Sequence, residues 1–95
     1  MNRKSAQNIE KTDAGSKHPV SLKPLSDLPE ASRAIVRCLR GGREFSTRLA
    51  GLGMTPGVEV TVLQNFGRGP MIITVRDTRI ALGRGETFKV LVEAL

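Results

Sequence analysis

Chemistry would need a nucleophile, a base or a metal-ligand set, so those residue types are taken first. The chain holds one cysteine, Cys38, and one histidine, His18. A single Cys and a single His exclude an internal disulfide framework and the usual zinc-ligand spacings. His18 lies in a polar N-terminal stretch, so serine- or cysteine-based hydrolysis lacks a base in the folded part. Asp27, Glu30, Glu44, Glu59, Asp77, Glu86 and Glu93 are scattered, and none forms a pair spaced for acid–base work. Gly67-Arg68-Gly69 and Gly83-Arg84-Gly85 repeat the tripeptide GRG. Neither joins a strand to a helix N-terminus with the spacing of a phosphate-binding loop. They read instead as hairpin loops with solvated arginines, or as basic tips for an acidic partner. The sequence therefore points to a binding module, with no enzyme, no cofactor and no dedicated metal site expected.

Charge narrows the partners. Fifteen Lys and Arg stand against nine Asp and Glu, a formal net charge of +6, with three Phe and neither Tyr nor Trp. Single-stranded nucleic-acid binders combine such charge with aromatic stacking platforms, which are nearly missing here. A mildly basic surface equally suits an anionic membrane face or an acidic protein. No apolar run approaches the roughly 18 residues that span a bilayer, and no secretory h-region is present. A lone thiol fits a reducing compartment, so the expected location is the cytoplasm.

The elements follow from periodicity. Residues 1–23 are polar and read as a disordered arm; Arg3, Lys4, Lys11, Lys17 and Lys23 outnumber Glu10 and Asp13. Residues 24–95 form the expected domain. Leu25-Ser26-Asp27-Leu28-Pro29 reads as an apolar turn covering one end of the core. Ala34, Val36 and Cys38 alternate as the inner face of a strand, which makes Cys38 a core residue. Phe45, Leu49 and Leu52 fall on one face of a helix of about three turns, closed by Gly53 as a left-handed cap. Pro56 and Gly57 specify a type II turn. Val58, Val60 and Val62, then Met71, Ile73 and Val75, then Ile80 and Leu82 alternate as strands. Asp77-Thr78 is read as the tight turn of a hairpin, and Phe88, Val90 and Val92 as the last strand. The fold class expected is mainly β with one short helix, a small SH3-like barrel of about five strands whose closure removes exposed edges.

The stretch from Leu25 to Leu95 resembles the ferrous iron transport protein A (FeoA) family. The resemblance is carried by Leu25 and Leu28, by Arg48-Leu49, by Leu52-Gly53-Met54-Thr55-Pro56-Gly57, by Gly69-Pro70 and by Ile80-Ala81-Leu82. It implies a cytoplasmic accessory of bacterial ferrous iron uptake, acting on the membrane permease FeoB with its GTP-binding domain. It also implies an association with transition-metal ions, for which these residues offer no obvious ligand set. The expected partner surface is the helix end and turn, with Arg48, Leu52, Met54 and Thr55, and with Arg68 as a basic tip. Met54 is expected to be held out between two glycines, while Leu52 is open to a core reading as well. Gly53, Pro56 and Gly57 are structural. The alternatives are a basic nucleic-acid-binding barrel and a metal-responsive dimer.

Overall fold

Alternating apolar residues dictate most of the architecture. The computed structural model of the protein describes residues 21–95; the arm expected over residues 1–23 lies almost wholly outside them. The elements are β1 (Lys23–Pro24), a 3-10 turn (Leu25–Asp27), β2 (Arg33–Leu39), α1 (Gly42–Ala50) and β3 (Glu59–Gln64). There follow β4 (Met71–Val75), β5 (Thr78–Leu82), α2 (Arg84–Phe88) and β6 (Val90–Ala94). All pairings are antiparallel, in the order β1-β6-β2-β3-β4-β5. The fold is mainly β, as the alternation predicts. The sheet does not close by hydrogen bonds, however: the two-residue β1 ends it on one side and β5 on the other. "Barrel" therefore describes its curvature rather than a sealed cylinder.

One face is the core. Ala34, Val36, Val60, Val62, Met71, Ile73, Val75, Leu82, Val90 and Val92 are buried on it, and Leu25 and Leu28 cover one end as expected. Phe45, Leu49 and Met54 join the same cluster from α1 and the segment after it. Burying such side chains removes enough apolar surface to hold a small domain together, each contributing about 1.5–3 kcal/mol.

Two bulges set what faces out. In β2, Val36 pairs with Val92 but Cys38 with Leu91, so Arg37 is an extra residue. A bulge slips the inward–outward period by one, and Cys38 is exposed instead of buried. In β3 the same event between Val62 and Gln64 leaves Leu63 as the extra residue, 42 % exposed.

The hairpin between β4 and β5 turns at Arg76 and Asp77, one residue earlier than the sequence suggests. Both carry positive φ, 51° and 63°, and Val75 and Thr78 form the closing pair. That is the handedness a two-residue hairpin requires.

The Gly-Arg-Gly-Glu stretch also departs from expectation. It opens α2, because the Gly83 N–H donates to Glu86 Oε1 at 3.0 Å while the Glu86 N–H donates to the Gly83 carbonyl at 3.1 Å. Phe88 thus ends a helix rather than starting a strand, and it is 66 % exposed.

Candidate functional site

The segment after α1 carries most of the residues expected to meet a partner. The Gly53 N–H donates to the Ala50 carbonyl at 3.0 Å and the Met54 N–H to the Leu49 carbonyl at 3.0 Å, with Gly53 at φ +91°. This pair of bonds is a Schellman closure, in which the residue after the glycine turns its apolar side chain back onto the helix. Met54 occupies that position and is fully buried, in the same cluster as Leu49. The expectation that Met54 projects into solvent is therefore wrong. The glycine cap that was taken to expose it is the device that folds it in.

Leu52 has the opposite fate. The regular helix stops at Ala50, so Leu52 leaves the face shared by Phe45 and Leu49 and is 42 % exposed. Thr55 is half-buried, and its carbonyl accepts the Val58 N–H at 3.1 Å. With Pro56 second and Gly57 third at φ +96°, this is the expected type II turn, spanning Thr55 to Val58. The Gly57 N–H then donates to the Val36 carbonyl at 2.6 Å, which ties the turn to β2. A Cβ at Gly53 would lie 3.3 Å from Arg76 Cδ, so the helix end abuts the tip of the β4–β5 hairpin.

Arg48 is exposed and points across to α2, its Nη1 2.7 Å from Glu86 Oε2. Its guanidinium carbon also sits 5.7 Å from the centre of the Phe45 ring, and Lys89 Nζ lies 5.6 Å from the same centre. The ring is thus bracketed by two cations. Gly41, Glu44, Phe45, Arg48 and Lys89 line a cleft of about 440 Å³ here. The structure therefore keeps Arg48, Leu52 and Thr55 on one rigid segment and removes Met54 from its surface. Arg68 is exposed on the separate β3–β4 loop.

The two arginines of the GRG tripeptides part company. Arg84 is turned inward: Nη2 donates to Asn65 Oδ1 at 3.0 Å, and its buried Nε has no partner among the described residues. Asn65 in turn donates through Nδ2 to the carbonyls of Ser26 at 3.1 Å and Leu28 at 2.7 Å. Its Oδ1 also accepts from the Gly67 N–H at 2.9 Å. One side chain ties the lead-in turn, the β3–β4 loop and α2 together.

Sequence reasoning missed this knot, and it missed the face around Lys89. Pro24, Arg40, Phe88, Lys89 and Leu91 line a second cleft of about 400 Å³. The glycine followed three residues later by Glu86, which is helix-start spacing, is the signal that would have pulled Phe88 out of the strand. Among the described residues no three His, Cys, Asp or Glu side chains come together as a metal-binding group. No helix among them is long and apolar enough to cross a membrane.

The FeoA domain family matches residues 23–94. A chain of Methanocaldococcus jannaschii named as an Fe(2+) transport protein A is 34% identical over 70 residues, covering 74% of this chain and 84% of that one. The crystal structure of an iron uptake regulatory protein, FeoA, superposes with a TM-score of 0.75 at 35% identity, over 79% of this chain and 100% of that one. FeoA of Stenotrophomonas maltophilia, an SH3 domain protein solved with zinc, gives 0.61 at 32% identity, over 74% and 88% of the two chains. A manganese-dependent transcriptional repressor shares the fold alone, with a TM-score of 0.74 at 14% identity over 85% of this chain and 46% of that one.

Proposed function

Because the chain belongs to the FeoA domain family, an accessory family of ferrous iron transport, we propose that it acts by binding the cytoplasmic GTP-binding part of a FeoB-type permease. In this reading it regulates or assembles the permease without catalysing a reaction, from the cytoplasmic side of the membrane. The observation that carries the reading is the end of α1. There Leu52 is a large apolar side chain held outside the core on a segment pinned by a Schellman closure and a type II turn. Arg48, one turn earlier in α1, adds an exposed guanidinium paired with Glu86, and Thr55 supplies a polar group. An exposed apolar anchor on a rigid backbone, rimmed by charge, is how small domains hold partners, because little ordering entropy is lost on binding.

The test is binding of the purified permease GTP-binding domain to this protein, followed by calorimetry. Leu52→Asp together with Arg48→Gln should weaken the complex by about tenfold or more, while the loss of the exposed Arg48–Glu86 pair should cost at most about 1 kcal/mol of stability. Unchanged affinity in the double variant would take the helix end out of the interface. Absence of binding by the unmodified protein would refute the partner assignment itself.

A further inference from the structure

The face built by Pro24, Arg40, Phe88, Lys89 and Leu91 adjoins the Phe45–Arg48 cleft, with which it shares Lys89, but contains neither Leu52 nor Thr55, and its test does not need the permease. Phe88 is 66 % exposed at the end of the five-residue α2. Leu91 and Pro24 are half-buried beside it. Arg40 and Lys89 are exposed, and neither belongs to the ion pairs among the described residues, which join Arg33 to Glu59, Arg37 to Glu93 and Arg48 to Glu86. No residue lining the cleft carries a carboxylate or a neutral polar side chain.

Several backbone groups of this face are paired as well. The Arg40 N–H donates to the Lys89 carbonyl at 2.9 Å, and the Lys89 N–H to the Glu86 carbonyl at 3.0 Å. Leu91 is paired with Cys38 on one side and Pro24 on the other, and Pro24 has no N–H to leave open.

From this combination we infer that the face binds the surface of an anionic lipid bilayer. The side chains of this face include cationic donors but no hydrogen-bond acceptor, which suits a surface of lipid phosphates, acceptors without donors of their own. The face also offers an aromatic ring and aliphatic surface flanked by long cationic side chains. Those chains can lay their stems along apolar material while their heads reach lipid phosphates. The N–H groups already paired lower the cost of bringing this main chain towards the acyl boundary. Two cations and one aromatic give weak, reversible association rather than anchoring.

Co-sedimentation of the full chain with vesicles tests this, using phosphatidylcholine alone and phosphatidylcholine with about a third phosphatidylglycerol. Binding is expected to the anionic vesicles only, and to be lost near 0.5 M salt, where the screening length shortens to about 4 Å. Arg40→Gln with Lys89→Gln should lower partitioning roughly 30-fold, the effect of two charges near the surface, and Phe88→Ala several-fold. Phe66→Ala, which removes the equally exposed aromatic of the β3–β4 loop, should leave it unchanged. Each variant is checked by its circular-dichroism melting curve, since all four positions are exposed and should fold normally. Equal binding to neutral vesicles, no binding to either, or a loss in Phe66→Ala matching that in Phe88→Ala would overturn the assignment. So would unchanged binding in the charge variant.

Discussion

Truncating Met54 to Ala should unfold this domain more readily than almost any other single change in the segment from Leu49 to Val58. Met54 is fully buried, and its backbone position is fixed by the N–H donated to the Leu49 carbonyl. The backbone therefore cannot slide inward to fill the space the side chain leaves. Met→Ala truncations in cores cost about 2–5 kcal/mol, the higher values arising where the site cannot collapse. Taking about 3 kcal/mol and a urea slope of about 1 kcal/mol/M for a domain of this size, the midpoint should fall by about 3 M. In heat the same loss is a drop of roughly 12–24 °C. Leu52→Ala, two residues earlier and 42 % exposed, should stay within about 0.5 kcal/mol of the unmodified protein. The chain has neither Trp nor Tyr, so the unfolding curves are best followed by far-ultraviolet circular dichroism. Met54→Leu, which conserves volume, should cost less than about 1.5 kcal/mol and leave partner binding intact. If Leu52→Ala proved the more damaging change, or Met54→Ala cost under about 1 kcal/mol, the segment would be facing the other way and the Schellman argument would fail.

Three further outcomes follow from the same physics. Gly53→Ala places a Cβ at φ +91° and 3.3 Å from Arg76 Cδ; it should cost about 1–2 kcal/mol of unfolding free energy, since the arginine tip can move but the backbone strain cannot. Asn65→Ala strips two part-buried carbonyls of their donor and Arg84 of its acceptor, and should cost about 2–4 kcal/mol with faster amide exchange in the lead-in turn and α2. Asp77→Gly relieves a positive φ at the second position of the β4–β5 turn and should raise stability by roughly 0.5–1 kcal/mol; a loss would mean that the Asp side chain holds the turn.

Where alternation runs uninterrupted, the sequence was legible. Met71, Ile73 and Val75 are buried in order, and Gly53 and Gly57 carry the positive φ that their neighbours imply. The misreadings share one cause: they depend on pairing partners that lie far along the chain. Nothing local to Val36-Arg37-Cys38 shows that β6 will meet it one residue short, yet that mismatch alone puts Cys38 in solvent. Leu52 matches the helical period of Phe45 and Leu49, and only the early end of α1 removes it from their face. Met54 breaks both local periods because its burial is dictated by the cap geometry rather than by repetition. Asn65 was invisible, because a side chain that bonds to Ser26, Leu28, Gly67 and Arg84 leaves no periodic trace. Of the candidate site, Arg48, Leu52 and Thr55 kept positions from which they can meet a partner, whereas the face around Phe88 emerged only from the structure.

Lys89 borders both clefts, that of Phe45 and Arg48 on one side and that of Phe88 and Arg40 on the other. The two proposed surfaces are still separable by mutation at Leu52 and at Phe88, while Lys89 couples them. A partner held through Leu52 and a bilayer held through Phe88 approach from adjoining faces, and a permease presents both at once. Binding to the membrane then raises the effective concentration of this protein near its partner, so the two weak contacts reinforce each other without any new interaction. Leu52→Asp should therefore weaken capture by the isolated GTP-binding domain and leave vesicle binding alone, while Phe88→Ala should do the reverse. Lys89→Glu should weaken both, because it removes a cation from each cleft and places a carboxylate beside Glu44 in the first. Measured on vesicles that display the GTP-binding domain, the unmodified protein should bind more tightly than it does to either isolated partner, and Leu52→Asp or Phe88→Ala alone should return it to about the affinity of the contact that remains. Affinity no higher than for the tighter isolated partner would show that the two faces cannot be engaged by one copy at the same time.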